Sequence, residues 1–243
     1  MLAVRGADDT LARRALEDLC TTYWSPLYAY LRRSGSSHAD AEDLVQGFLA
    51  RLVERRDLHA DPNTSRLRSY LLGALRHYVA NERARDGAAR RGGRVRVVAI
   101  DDEVAAAAVR ELSERDTPER AYERQFALTL LDAAFTRLRA EALAGGRGEQ
   151  FDALRAVLSR ADDAASYAEI ARRLGQSAGA LRVAAHRLRR RLGELLRDEV
   201  AQTLAAPEAL AAAARDRGPR PSPNEHALAV ETELAHLFEA LRG

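Results

Sequence analysis

The sequence is poor in several features, and each scarcity narrows the kind of protein that the chain can be. A single cysteine, Cys20, in 243 residues excludes an internal disulfide bond. No uncharged apolar run reaches the roughly 18 residues that a membrane-spanning helix needs. The first residues include acidic side chains at once and lack the apolar core of a signal peptide. These absences predict a cytoplasmic protein that makes no membrane contact.

Aromatic side chains and lysine are also scarce. Aromatic residues make up 5% of the chain and apolar residues 47%, so leucine, alanine and valine must build most of the core. All 38 basic residues are arginines, because the sequence contains no lysine. We attribute this first to genomic base composition, although arginine also suits contacts with phosphate and guanine.

Motifs of common enzyme classes are missing too. The sequence has no P-loop, no GxSxG and no HExxH, and its six histidines lack metal-ligand spacing. Cys20 lies on an apolar helical stretch, which favours a core position over a nucleophile. We therefore expect a protein that is not an enzyme and that uses no catalytic residue, cofactor or metal.

Charge is strongly segregated along the chain, although the formal net charge is only +2. Successive blocks of fifty residues carry net charges of −2, +7, −4 and +3, and residues 201–243 carry −2. Two basic segments separated by an acidic one predict two surfaces that face a polyanion. Two solvated basic helix faces are the alternative.

Helical periodicity dominates, and strand-like alternation is rare. The pattern predicts an all-α fold with two small helical domains, at 8–95 and 119–204, joined by a linker at 96–118. Residues 205–243 form an extension with a Pro-rich spacer and a terminal amphipathic helix, predicted over Glu225–Leu241. We expect this helix to dock on the second domain, while binding a regulator and having no role are the alternatives. Its predicted apolar positions are Leu228, Leu234, Leu237, Phe238 and Leu241.

The segment "ADAEDLVQGFLARLVERRD" predicts an amphipathic helix that begins after Ser37, a typical N-cap residue. Its apolar stripe includes Ala41, Leu44, Val45, Phe48, Leu49, Leu52 and Val53. Acidic side chains and one amide surround the other side, which suits a basic groove on a partner. A solvated helix face is the alternative.

The segment "RLRSYLLGALRHYVANERARDGAARR" predicts a second helix of different character. Nine arginines and two acidic residues lie between Arg66 and Arg96, with tyrosine, histidine and asparagine interleaved. Planar side chains beside arginines suit unstacked bases of single-stranded DNA. Tyr70 and Tyr78 are alternatively core residues, and this is the favoured interpretation for Tyr78.

The segment "SYAEIARRLGQSAGALRVAAHRLRRRL" predicts two helices joined by a tight turn. Ser166 and Glu169 form a capping box, so the first helix is predicted to begin near Tyr167. Gly175 supplies the left-handed residue that ends it, and Ser177 caps the second helix.

The small and apolar positions of this segment fit a DNA-reading helix-turn-helix. Ala171 is a small residue where the two helices touch. Leu181, with Ala184 or Ala185, anchors the second helix so that its first half projects outward. Arg182 and Arg187 are candidates for base contacts, and Arg189–Arg191 for phosphate neutralisation. A helical hairpin with a basic face is the alternative.

These three segments, in this order, resemble the RNA polymerase sigma factors of the sigma-70 family, extracytoplasmic-function group. "DAEDLVQ" resembles the helix that docks on the polymerase clamp, and "TSRLRSYLLGALRHYVANERARDGAARRGG" resembles the helix that reads and melts the minus-ten element. The helix-turn-helix is similar to the domain that reads the minus-thirty-five element. Gly47 departs from the family, in which many relatives carry an acidic residue there.

The resemblance implies a subunit that binds core RNA polymerase through the clamp of its largest subunits. Such a subunit reads double-stranded and single-stranded promoter DNA, and an anti-sigma factor or other regulator is a further expected partner. The loop 58–66 would capture a flipped base. The competing hypothesis is a stand-alone helix-turn-helix regulator whose first domain dimerises or senses a ligand.

Three sets of candidate residues follow from the segments and the resemblance. The polymerase set consists of Asp40, Glu42, Asp43, Gln46, Phe48 and Glu54. The minus-ten set consists of Asn63, Arg66, Arg68, Tyr70, Arg76, His77, Asn81, Arg83 and Arg85. The upstream-element set consists of Ser177, Gly179, Arg182, Val183, His186, Arg187 and Arg190.

Overall fold

A computed structural model of the chain describes residues 2–55, 67–89, 117–158, 164–214 and 222–242. Within these ranges the chain forms eight helices and no strand, which confirms the all-α fold class. The helices are α1 (Leu2–Arg33), α2 (His38–Arg55), α3 (Leu67–Ala89), α4 (Pro118–Ala144), α5 (Gly148–Leu158), α6 (Ala164–Leu174), α7 (Ala178–Ala214) and α8 (Pro223–Arg242).

Helix boundaries agree with the sequence at Ser37 but not at Ser166, which was predicted to cap α6 and lies inside that helix. The Ser37 hydroxyl accepts a hydrogen bond from the Asp40 amide at 3.2 Å, which confirms the predicted start of α2. Pro26 lies inside the continuous helix α1 and does not open a second helix. Helix α6 is already present at Ala164, so its predicted start near Tyr167 is late by about one turn.

The chain divides into two compact units, residues 1–129 with 201–243 and residues 130–200. The divisions fall inside α4 and α7, and they therefore do not coincide with the predicted domain limits at 118 and 204. The predicted linker lies outside the described residues except for Thr117 and Pro118. No described helix has both the length and the apolar character needed to span a bilayer.

The first unit has an aromatic core. Tyr23 of α1 stacks on Phe126 of α4, with ring centroids 5.2 Å apart. The buried Tyr122 hydroxyl donates to the Arg68 carbonyl at 2.9 Å and ties α4 to α3. Burial raises the pKa of both Tyr23 and Tyr122, so these phenols stay neutral at physiological pH. Aromatic side chains thus join α1, α3 and α4 in the core of the first unit.

Helix α8 also belongs to the first unit, and its buried face differs from the predicted one. Val230, Glu233, Leu234 and Leu237 are buried and follow the spacing i, i+3, i+4, i+7. Leu228 is 70% exposed and Phe238 49% exposed, so placing them on the apolar face was wrong. The observed ion pair joins Glu233 of α8 to Arg68 of α3, in the predicted first domain, and Glu123 of the predicted second domain contacts the same Arg68 side chain.

The second unit has a core of leucine and alanine with two aromatic rings. Phe151, Leu154, Tyr167, Leu181 and Ala185 are almost completely buried. Its charged side chains pair at the surface, as Arg137 does with Glu199 at 2.7 Å. This small core holds α6 and the first half of α7 in place, and those helices carry the upstream-element set.

Candidate nucleic-acid interface

The turn between α6 and α7 has the geometry of a helix-turn-helix. Gly175 has a φ of 63°, in the left-handed region that glycine adopts without strain. The Gln176 amide donates to the Ala171 carbonyl at 3.1 Å, which closes the end of α6. The Ser177 hydroxyl accepts from the Ala180 amide at 3.1 Å and begins α7. Both predicted cap roles are confirmed.

Buried anchors fix which face of α7 points outward. Leu181 and Ala185 are fully buried, and Ala185 is the inward residue of the two alanines considered. All members of the upstream-element set are exposed, namely Ser177, Gly179, Arg182, Val183, His186, Arg187 and Arg190. The set therefore forms one continuous outward surface on the first four turns of α7.

Two arginines on this surface are well placed to bind groups outside the chain. The Arg182 guanidinium carbon lies 5.7 Å from the centre of the Tyr167 ring, a cation–π contact that orients the side chain. Arg187 is exposed and forms no ion pair within the part of the chain that the structure describes. With Val183, it lines a cavity of about 560 Å³ between α4, α5 and α7. Both side chains keep donors for a base edge or a phosphate.

All of Arg189–Arg191 were predicted to neutralise phosphates, but two of these arginines bind groups within the chain instead. Arg189 donates to the Val157 carbonyl at 2.7 Å and so caps the end of α5. Arg191 forms two hydrogen bonds with the Glu141 carboxylate, at 2.8 and 2.9 Å. This contact raises the pKa of Arg191 and lowers the pKa of Glu141. Of the three, only Arg190 has the mostly exposed side chain that phosphate neutralisation needs.

The side chains of the minus-ten set differ in exposure, and the DNA contact predicted for Arg68 needs the main correction. Its side chain is buried, with its Nε atom 2.8 Å from the Glu233 carboxylate of α8. Glu123 of α4 contacts the same guanidinium. Arg68 therefore makes contacts within the core, where DNA does not reach it in this conformation. Its partners are 55 and 165 residues away along the chain, so no local pattern predicted this role.

The rest of α3 presents an exposed polar surface. Arg76 donates to the Tyr30 hydroxyl at 2.9 Å and contacts Glu119, yet about half of its side chain is exposed. Arg85 pairs with Glu82 at 2.9 Å. His77, Asn81 and Arg83 are exposed, and Tyr70 is half-buried. Asn63, Arg66 and the loop 58–66 lie outside the described residues.

The polymerase set divides between the surface and the core. Asp40, Asp43, Gln46 and Glu54 are exposed, as their predicted role requires. Glu42 is buried, with its carboxylate 3.7 Å from the His38 imidazole, and Phe48 is buried against Tyr78. Neither buried side chain reaches a partner in this conformation, which corrects both assignments. Val53 is 41% exposed, so the outward face of α2 is less acidic and more apolar than predicted.

Gly47, the departure from the family noted above, has a local structural reason. A methyl group at this position would collide with the hydroxyl of Tyr78 on α3. The Tyr78 ring lies 5.8 Å from the Phe48 ring, and the Arg51 guanidinium lies 5.9 Å from its centre. Tyr78 thus packs against α2, but it is only partly buried, so the favoured interpretation of Tyr78 as a core residue is met only in part.

Two residues that shape these surfaces were not among the predicted sites. Tyr30 holds Arg76 from α1, and Glu233 holds Arg68 from α8. For Glu233 the sequence did contain a signal. Glu233 has the helical spacing of the buried residues Val230, Leu234 and Leu237, which places it on the same face.

The described residues contain no candidate metal site. Among them, no cluster of three or more His, Cys, Asp or Glu side chains is placed to hold a metal ion. Comparisons with known proteins found no matching family model, no curated relative and no similar solved structure.

Proposed function

We propose that the protein is a transcription initiation factor of the sigma type, which binds core RNA polymerase and directs it to specific promoters. The observation that carries the proposal is the helix pair α6–α7. Its glycine turn and buried anchors leave the whole upstream-element set exposed on one surface. A helix held in this way fits the major groove, because its outward side chains reach base edges while the preceding helix lies against the backbone.

The exposed face of α2 supports the polymerase-binding part of the proposal. Asp43, Gln46 and Glu54 lie on this face beside the partly exposed Val53. Acidic side chains around an apolar contact suit a partner groove lined by basic residues. In the proposed mechanism α2 docks on the polymerase clamp, while α3 and α7 face two separate promoter elements.

The exposed part of α3 supports a role in promoter melting. His77, Asn81, Arg83 and Arg85 are exposed and combine planar groups with positive charge. Such side chains bind the bases and phosphates of an unpaired strand, so DNA opening results from capture of extruded bases. The mechanism needs neither a catalytic residue nor a cofactor.

Binding to purified core polymerase tests the proposal. The full chain labelled with a fluorophore is titrated with core enzyme, and we expect saturable binding. The double variant Asp43→Ala/Gln46→Ala should bind at least about tenfold more weakly, since interface residues that matter typically contribute more than 1 kcal/mol each. Asp18→Ala removes an exposed carboxylate from α1 and should leave the affinity unchanged.

Absence of binding to core enzyme by the unmodified chain would reject the sigma proposal. Binding to double-stranded DNA without binding to polymerase would favour the stand-alone regulator instead. Equal affinity of the double variant and the unmodified chain would show that α2 is a solvated face.

A further inference from the structure

Three carboxylates from two helices lie against the basic side of α3. Glu119 and Glu123 of α4 contact Arg76 and Arg68, and Glu233 of α8 also contacts Arg68. Arg68 and Glu233 are only 5% and 3% exposed, so solvent does not reach this pair freely. The first three turns of α3 therefore have internal counter-charges.

The covered arginine continues an exposed basic row on the same helix. Arg68, Arg76 and Arg83 are spaced eight and seven residues apart, which places them within about a quarter turn of one another. Arg76 and Arg83 are exposed, and α8 covers Arg68. A carboxylate oxygen and a phosphate oxygen are interchangeable as anionic partners of a guanidinium, and Glu233 contacts Arg68 through Oε1 at the Nε atom. Glu233 thus occupies a position at which a DNA phosphate would complete the row.

The helix that supplies Glu233 is held by a small contact. Its buried residues are Val230, Glu233, Leu234 and Leu237, and most of its remaining surface is exposed. The sequence between α7 and α8, "RDRGPRP", has the composition of a linker. Because α8 is part of the same chain as α3, its local concentration there stays high, so a small contact suffices to hold it. The same small contact lets a competing polyanion open it.

We propose that α8 is a lid over an anion-binding site at Arg68, for which Glu233 and the phosphates of DNA compete. The proposal rests on the function proposed above. When the lid is closed, the Glu233 carboxylate neutralises Arg68 and shortens the basic row of α3. When α8 is displaced, Arg68 keeps its contact with Glu123 of α4, and the Nε side that Glu233 occupied is open. Arg68 then joins Arg76 and Arg83, and the row binds one more phosphate.

Single-stranded DNA is the probe for this site. The affinity of the full chain for a labelled, mixed-sequence single-stranded oligonucleotide is measured by fluorescence anisotropy at low salt. If the closed state holds about nine-tenths of the molecules, Glu233→Gln should raise the affinity about tenfold. Glu239→Gln makes the same charge change at an exposed position of the same helix and should leave the affinity nearly unchanged. Equal affinities of these two variants would overturn the proposal.

Two further measurements identify Arg68 and the lid themselves. Arg68→Ala combined with Glu233→Gln should abolish the rise in affinity, whereas a rise that persists without Arg68 would overturn the assignment of the site. In the unmodified chain, the oligonucleotide should speed hydrogen exchange at the amides of α8. Unchanged exchange at saturating oligonucleotide would overturn the lid, and this measurement decides the matter if Glu233→Gln does not fold.

The readouts distinguish failure of the lid from failure of the proposed function. DNA affinity and amide exchange are measured without polymerase. If Glu233→Gln raises the affinity for DNA but the chain does not bind core enzyme, the sigma proposal is rejected and the lid proposal is supported. If the chain binds polymerase but Glu233→Gln does not raise the affinity for DNA, the lid proposal is rejected and the sigma proposal is supported.

Discussion

Helices α3 and α7 are both rich in arginine and both carry a surface predicted to face DNA, yet they use their arginines differently. In α3 the first arginine is buried between glutamates, and the exposed ones follow later. In α7 the exposed Arg182 and Arg187 come first, and Arg189 and Arg191 then hold neighbouring helices. The difference shows that arginine content locates a basic surface but not the residues that remain available on it.

The largest loss of stability is expected when the buried ion pair between Arg68 of α3 and Glu233 is broken. Breaking a surface ion pair of α7 should cost much less. Arg68→Ala leaves the Glu233 carboxylate buried without its main counter-charge and should lower the free energy of unfolding by about 3–5 kcal/mol. Arg191→Ala removes an exposed ion pair and should have a much smaller effect. Urea unfolding followed by fluorescence of Trp24, the single tryptophan, measures the change in the first unit, and amide hydrogen exchange in denaturant measures the change in the second unit, which contains Arg191.

The double variant Arg68→Leu/Glu233→Leu is the matched control. It replaces both charged side chains by apolar ones and should restore much of the stability, because neither member of the pair is then buried without its partner. A destabilisation by Arg191→Ala as large as that by Arg68→Ala would remove the contrast between the two helices.

The next effect concerns the exposed arginines of α7. Replacing Arg182 and Arg187 by alanine should weaken binding to double-stranded promoter DNA by about 1–3 kcal/mol for each base that a side chain no longer reads. Binding to core polymerase should not change, since the polymerase set lies on α2. Electrophoretic mobility shift and core-binding titrations measure the two activities separately. Arg155→Ala, an exposed arginine of α5 outside the helix pair α6–α7, is the control. Equal weakening of both activities would contradict the separate roles.

A smaller change in stability is expected at the turn between α6 and α7, which positions α7. Gly175→Ala places a side chain at a φ of 63° and should lower the stability of the second unit by about 1 kcal/mol. Gly179→Ala lies within α7 in open space and should raise stability by about 0.5–1 kcal/mol. Thermal unfolding measured by circular dichroism compares the two variants. No loss of stability for Gly175→Ala would contradict the need for a left-handed residue in this turn.

Local signals predicted much of the fold from the sequence. Caps at Ser37 and Ser177, the left-handed Gly175, and the buried positions Val45, Leu49 and Leu181 were all correct. Such features depend on residues within about two turns of one another, so one stretch of sequence contains both partners.

Contacts between distant segments were not predictable in this way. The partners of Arg68 and Arg191 lie on other helices, at least 50 residues away for the contacts with Glu123, Glu233 and Glu141. The phase of α8 was misread because a glutamate lies in its buried stripe and exposed apolar residues flank it. A charged residue on a buried face is understandable only once its counter-charge is located.

Transcription by reconstituted enzyme is the decisive test of the proposed sigma function. Purified core polymerase and the full chain are incubated with a library of genomic DNA fragments, and the transcript start sites are mapped. We predict initiation at a limited set of sites that share two upstream sequence elements, one for α3 and one for α7. Initiation no different from that of core polymerase alone would contradict the proposal.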